Sequence, residues 1–157
     1  MHQNIPERFD QSELAILTFE VNPSKERWTD YIDILPTNEV EKSEEYHYSQ
    51  DKLRFTKCRS ILRKTLSKWV NEDPKTIGIK MGGNGKPKLD TIHHIKFSIT
   101  HTEGFAGIAF CKGFEVGLDV ENSNRDTNID KVSKKVFTDS EQIKIASNSD
   151  IDAKKMF

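Results

Sequence analysis

The chain is poor in the features that make a protein's class easy to read. Only two cysteines, Cys58 and Cys111, occur in 157 residues, so no disulfide framework is expected, and their spacing suggests no zinc site. No segment approaches the ~20 apolar residues that span a bilayer. The opening stretch MHQNIPERFD has no apolar run of signal-peptide type, which makes the cytoplasm the expected location. An excess of one charge is missing too, with 24 basic residues against 25 acidic ones. That balance argues against a bulk electrostatic grip on nucleic acid or on an anionic membrane, and any anion site must be local. Apolar residues make up only 34% against 31% charged, below the globular average even with the glycines added, so a thin or incomplete core is expected. The length fits a single domain over residues 1–157.

What is present is a sequence of short elements. Leu17, Phe19 and Val21 alternate in a strand pattern over residues 13–21. After Ser24, the residues Trp28, Tyr31, Ile32 and Leu35 recur at helical spacing and Pro36 follows, which predicts a short amphipathic helix. The strongest helical pattern is SQDKLRFTKCRSILRKTLSKWV. Ser49 is its expected N-cap, Cys58, Ile61, Leu62, Thr65, Leu66 and Trp69 form the core stripe, and lysines and arginines fill the opposite face. A short strand, TIGIKM, leads into the glycine-lysine stretch GNGKPKL, which is expected to be neither helix nor strand.

From Ile95 onward the period changes to two. IKFSITH, FAGIAF and FEVGLDVE read as three strands joined at Gly104 and Gly113, an antiparallel meander. Residues 128–137 read as a helix, and Thr138 to Glu141 have capping-box spacing for another. Ser149 and Asp150 look like a further cap, yet the chain stops about two turns later on Met156 and Phe157 with no stop signal. The expectation is that the polypeptide ends before its fold does. The fold class is α+β, an antiparallel meander sheet with packed helices.

Three groups of residues could carry chemistry. On a strand, Asp119 and Glu121 project from one side, about 7 Å apart by strand rise. Such a pair suits Mg2+, which takes one or two carboxylates together with substrate phosphate oxygens; it equally suits an exposed acidic face. His101, flanked by Thr100 and Thr102, could meet an anion, or could simply lie exposed at a turn. In the loop, Gly83 and Gly85 permit close backbone approach, Pro87 stiffens the chain, and Lys86 and Lys88 offer charges for phosphate. It is not a Walker loop, because no Ser or Thr follows the lysine, and a plain surface turn also accounts for it.

Taken in order, GNGKPKL, FSITHT, VGLDVE and KKVFTDSE, preceded by the helix with Asp51, Arg54 and Arg63, resemble the surfactin-type, two-half family of 4'-phosphopantetheinyl transferases. The resemblance runs from about Asp51 to Glu141. It implies one half, plus the linking region, of a pseudo-twofold α+β fold. The implied activity is transfer of the phosphopantetheine arm of coenzyme A, the substrate, to a serine of an acyl, peptidyl or aryl carrier protein, with Mg2+ as cofactor. It also implies metal binding by Asp119 and Glu121, and coenzyme binding by Arg54, Lys86, Pro87, Thr100 and His101. Ahead of the long helix the family carries basic residues for the coenzyme's 3'-phosphate. Here that stretch is PTNEVEKSEEYHY, mostly acidic, with Lys42 as the available base. The family's W-x-x-K-E helix, with a third acid, the expected general base and a lysine, would fall beyond Phe157. No residue of this chain is therefore assigned as the catalytic base, and impaired transfer by this chain is expected. The alternative is a non-catalytic module that binds coenzyme A or a carrier protein.

Overall fold

The computed structural model describes residues 14–83, 85–90, 94–122 and 137–146, apart from the side chains of the last two. The chain divides into two units, Met1–Glu121 and Asn122–Phe157. In the first, β1 (Leu14–Glu20) is followed by a single 3-10 turn (Trp28–Tyr31) and two helices, α1 (Thr37–Glu44) and α2 (Ser49–Val70). Four strands come next: β2 (Ile79–Met81), β3 (Pro87–Leu89), β4 (Ile95–Thr102) and β5 (Phe105–Lys112). The α+β class and the antiparallel sheet are as expected from the sequence.

The sheet order is β1-β5-β4, antiparallel throughout. Gly104, at φ 75°, turns β4 into β5, and its carbonyl accepts a hydrogen bond from the Val21 amide, fastening the end of β1 to that turn. Cross-strand partners share a face. Leu17, Ile108 and Ile99 therefore lie on one side, as do Phe19, Ala106 and His101, and Ala15, Phe110 and Phe97. The long helix α2 covers this side through Leu53, Leu62 and Leu66, and Trp69 meets Phe110 edge-on.

The third strand of the expected meander is a correction. Residues 114–121 form no ladder, and β1 supplies the third strand instead. Both edges of β5 are already occupied, so the following segment lies extended over the other face of the sheet. There the Leu118 amide donates to Ser98 Oγ and the Val120 amide to Thr100 Oγ1. Side-chain hydroxyls replace the ladder. Gly107 of β5 leaves room for this layer, since a Cβ there would stand 3.0 Å from the Leu118 side chain.

Three further expectations change. Pro36 opens a helix where the sequence suggested the end of one, with Thr37 as the first residue of α1 and only a 3-10 turn before it. Tyr48, with Ser49 inside the helix, occupies the N-cap of α2. The PKL part of GNGKPKL is strand β3, paired with β2 in a two-stranded sheet. The core stripe of α2 is as expected, but its basic face is not wholly solvated: Lys57 and Arg63 are buried.

Arg63 explains how a cation can be buried there. Its Nε and Nη2 donate to the two carboxylate oxygens of Glu39 on α1, at 2.8 and 3.0 Å. Its Nη1 donates to the carbonyls of Pro74 and Ile77, at 2.6 and 3.0 Å. One guanidinium thus joins α1, α2 and the segment entering β2, with planar bidentate geometry that lysine cannot reproduce.

In the second unit, α3 (Asp139–Ala146) follows Thr138, whose carbonyl accepts from the Gln142 amide. Glu141 Oε2 accepts from both the Thr138 amide and its hydroxyl. These bonds hold the Glu141 carboxyl below its ordinary range. Residues 128–136 of the expected helix and the cap at Ser149 and Asp150 lie outside the described residues, and Phe137, its expected last residue, is in a bend.

Because removing one member of a buried ion pair strands the other, Arg63→Met should lower folding stability by about 3–5 kcal/mol. The double variant Glu39→Leu with Arg63→Met should recover part of that loss. Urea unfolding midpoints of the three proteins check this, and a single variant within about 1 kcal/mol of wild type would contradict it.

Candidate functional site

Along α2, the residues Asp51, Arg54, Phe55, Cys58 and Arg59 follow three- and four-residue spacing, so they share one face. With Lys42 and Tyr46 from the α1 side, Pro87 of β3, and Ile99 and His101 of β4, they line a hollow of about 610 Å3. Such a volume lies within the ordinary range for small-molecule sites. Four sequence-selected residues, Lys42, Arg54, Pro87 and His101, therefore meet in one place.

Their charges are largely matched. Arg54 Nη2 donates to Asp51 Oδ1 at 2.9 Å, and Lys42 Nζ donates to Glu45 Oε2 at the same distance, which raises the lysine pKa. His101 is exposed, as one of its two sequence readings allowed. Such desolvation as its place beside α2 imposes lowers its pKa below the ordinary 6.5, and nearby Arg54 acts in the same direction. The imidazole is thus held in its neutral form, able to donate from one nitrogen and accept at the other. Burial pushes the Cys58 thiol up to about 12, so it is no nucleophile at neutral pH.

The other selected residues lie elsewhere, and this is a correction: Asp119 is bonded to Thr100 on the face of β4 opposite His101, so the acid pair and the imidazole do not line one shared hollow. Thr100, next to His101, faces the opposite side of β4 because side chains alternate along a strand. Its hydroxyl donates to Asp119 Oδ1 at 3.2 Å while accepting from the Val120 amide at 3.1 Å. The Val120 amide also reaches Asp119 Oδ1, at 3.0 Å. Asp119 and Glu121 are both exposed and alternate with half-buried Leu118 and Val120.

Lys86 does not line the 610 Å3 hollow. It lines a smaller one of about 320 Å3 with Lys88, Lys96 and Glu115. Its Nζ donates to the Val116 carbonyl at 2.6 Å and stands 3.8 Å from Glu115. The lysine thereby ties the β3 end of the loop to the segment that carries the acids. Gly83 and Gly85 have open space about their Cα atoms. The tight glycine is Gly82, where a Cβ would meet Lys88 Cε at 2.9 Å.

Among the described residues, no group of three or more His, Cys, Asp and Glu side chains is arranged to hold a metal ion. The donor chemistry of Asp119 and Glu121 still fits Mg2+, which accepts one or two carboxylates when phosphate oxygens and water complete the shell. The hydrogen bonds to Asp119 from Thr100 and Val120 both fall on Oδ1. Sequence reasoning missed Tyr46, Phe55 and Arg59. Their spacing relative to Arg54 could have found the last two.

Residues 20–112 match the family described as "4'-phosphopantetheinyl transferase, N-terminal". Among curated proteins, the 4'-phosphopantetheinyl transferase HetI of Nostoc sp. is 23% identical over 126 residues, covering 78% of this chain and 53% of that protein. The putative 4'-phosphopantetheinyl transferase slr0495 of Synechocystis sp. is 26% identical over 113 residues, covering 71% and 46%. The chain thus spans about half the length of these relatives. Among solved structures, a holo-(acyl-carrier-protein) synthase from Bacillus anthracis, in complex with CoA (3',5'-ADP), superposes with a TM-score of 0.50 at 24% identity. The match covers 62% of this chain and 91% of that one, and it bears on the fold. With more than half of its residues inside the family match, the chain belongs to the 4'-phosphopantetheinyl transferase family.

Proposed function

We propose that this chain binds coenzyme A in the 610 Å3 hollow and serves the Mg2+-dependent transfer of its 4'-phosphopantetheine arm to a serine of an acyl, peptidyl or aryl carrier protein. On this reading it is a surfactin-type, two-half member of the family, acting in the cytoplasm. No helix among the described residues is long and apolar enough to cross a membrane. The observation that carries the reading is the meeting of Lys42, Arg54, Pro87 and His101 at one hollow.

Each residue has a defined task. Arg54, held by Asp51, presents a fixed guanidinium to the cofactor's phosphates. Neutral His101 donates to a phosphate oxygen and gains a proton as negative charge approaches. Thr100 fixes Asp119, and Lys86 fixes the segment from Glu115 onward that carries Asp119 and Glu121. Asp119 and Glu121 would hold Mg2+, which when bound would supply positive charge against phosphate oxygens. No residue of this chain is assigned as the base for the carrier serine. The second reading, a binding module without transfer, is favoured by the mostly acidic stretch PTNEVEKSEEYHY ahead of α2 and by the lack of an assigned base.

The direct test is intact-mass measurement of an apo carrier protein incubated with the chain, coenzyme A and Mg2+. A slow gain of the pantetheine arm is expected. Calorimetric binding of coenzyme A without any adduct supports the second reading, and absence of coenzyme A binding sinks both.

Thr100→Val should weaken Mg2+ binding to the coenzyme-loaded chain roughly two- to tenfold, the worth of one ordinary hydrogen bond. Thr100→Ser should keep it. Equal Mg2+ titrations for wild type and Thr100→Val would remove Thr100 from the site.

For the free chain, the depressed His101 pKa has a definite sign. The unfolded state binds the proton first as pH drops below about 6.5, so this contribution to stability is present above that value and lost as pH falls through the lowered folded value. Urea midpoints should fall with acidification across that window in wild type and fall less steeply in His101→Gln. Parallel profiles would show that His101 is not desolvated.

A further inference from the structure

The segment that carries the acids keeps a period of two although it belongs to no ladder. Val116, Leu118 and Val120 are half-buried, while Glu115, Gly117, Asp119 and Glu121 between them are exposed. Bonds to the inward positions hold it. The Val116 carbonyl accepts from Lys86 Nζ at 2.6 Å, the Leu118 amide donates to Ser98 Oγ at 3.2 Å, and the Val120 amide donates to Thr100 Oγ1 at 3.1 Å. Ser98 and Thr100 stand two residues apart on one face of β4, and Leu118 and Val120 two residues apart on the segment, so the repeats match. Gly107 supplies the seat beneath them, since a Cβ there would stand 3.0 Å from Leu118 Cδ2.

Register decides what this segment can do. A slip of one residue would turn every exposed side chain inward, and Asp119 and Glu121 would face Ser98, Thr100 and the β5 backbone instead of solvent. Without ladder bonds, little else opposes such a slip. A single hydrogen bond contributes modestly and ordering each backbone residue costs a comparable amount, so the docked register depends on every anchor. Thr100 bonds Asp119 directly. Ser98 acts one step back, through the Leu118 amide.

We propose that Ser98 is a positioning residue for the metal site: with the Gly107 seat beneath Leu118, it sets the register that turns Asp119 and Glu121 outward together. The inference rests on the reading of those two acids as Mg2+ ligands. It gives a task to a hydroxyl on the face of β4 away from the 610 Å3 hollow. Binding of coenzyme A in that hollow should not need it.

The test uses the full chain as wild type, Ser98→Ala, Ser98→Thr and Gly107→Val, each titrated with Mg2+ at saturating coenzyme A and with coenzyme A in the absence of metal. Hydrogen exchange of the Leu118 and Val120 amides is followed by NMR in the same proteins. Ser98→Ala should weaken Mg2+ binding roughly two- to tenfold and speed exchange of both amides by a similar factor, with metal-free coenzyme A affinity unchanged. Ser98→Thr keeps the hydroxyl and should restore both. Gly107→Val, which lifts Leu118 without removing a hydroxyl, should act in the same direction and carries the test if Ser98→Ala does not fold. Wild-type Mg2+ affinity in both Ser98→Ala and Gly107→Val would overturn the assignment, as would equal losses of Mg2+ and coenzyme A affinity, the mark of a general structural role. A wild type that binds no Mg2+ would overturn the reading of the two acids and the role of Ser98 with it. That result differs from failure of the role alone, in which wild type binds Mg2+ and Ser98→Ala binds it equally well.

Discussion

The geometry of the hollow depends on Arg63. Its four hydrogen bonds run to α1 through Glu39 and to the carbonyls of Pro74 and Ile77 just ahead of β2. Helix α1 brings Lys42 to the hollow, α2 brings Arg54, and the segment after Ile77 leads into Ile79 and Met81, which also line it. Three walls are fixed by one side chain that is itself 2% exposed. A buried ion pair of this kind contributes little net stability compared with well-packed apolar residues, but it penalises any arrangement in which either partner loses the other. For a site that must hold several charges in register, that penalty is useful.

Strand β4 then separates two chemistries. Its α2-facing side carries Ile99 and His101 into the hollow, while its other side offers Ser98 and Thr100 to the extended segment that follows β5. Thr100 and His101 are adjacent in sequence yet serve opposite faces. Asp119 accordingly bonds Thr100 on the face away from Arg54 and His101. A ligand with phosphates at two places along its length could meet both sides around the end of this strand, cations on one and a carboxylate-held metal on the other.

Much of this arrangement was legible from local pattern. The α2 stripe, the strand alternation of Leu17, Phe19 and Val21, the β4–β5 turn at Gly104 and the exposure of Asp119 with Glu121 all follow from helical or twofold periodicity, which the chain obeys. What was not legible depended on partners distant in sequence. Period two placed residues 115–121 on alternating faces but could not show that both edges of β5 were taken, so a strand was expected where hydroxyl groups hold an extended segment. Pro36 was ambiguous between a stop and a start, and the burial of Glu39 that decides the matter comes from Arg63, 24 residues later. Likewise, Lys57 and Arg63 have the composition of a solvated face and are buried because Glu26 and Glu39 lie opposite them.

The same logic separates the two kinds of basic residue in the chain. Lys57 and Arg63 each face a carboxylate at hydrogen-bond distance, so their burial is complete as it stands. Lys86 has a carbonyl and a nearby carboxylate, and its role as a tether is already visible in those contacts. Arg59 differs from all three, since the carboxylate it approaches is committed to another guanidinium. Folding alone gives no reason to place a second arginine beside Glu39 rather than an apolar residue of similar volume, because the burial penalty is incurred without the compensating bond.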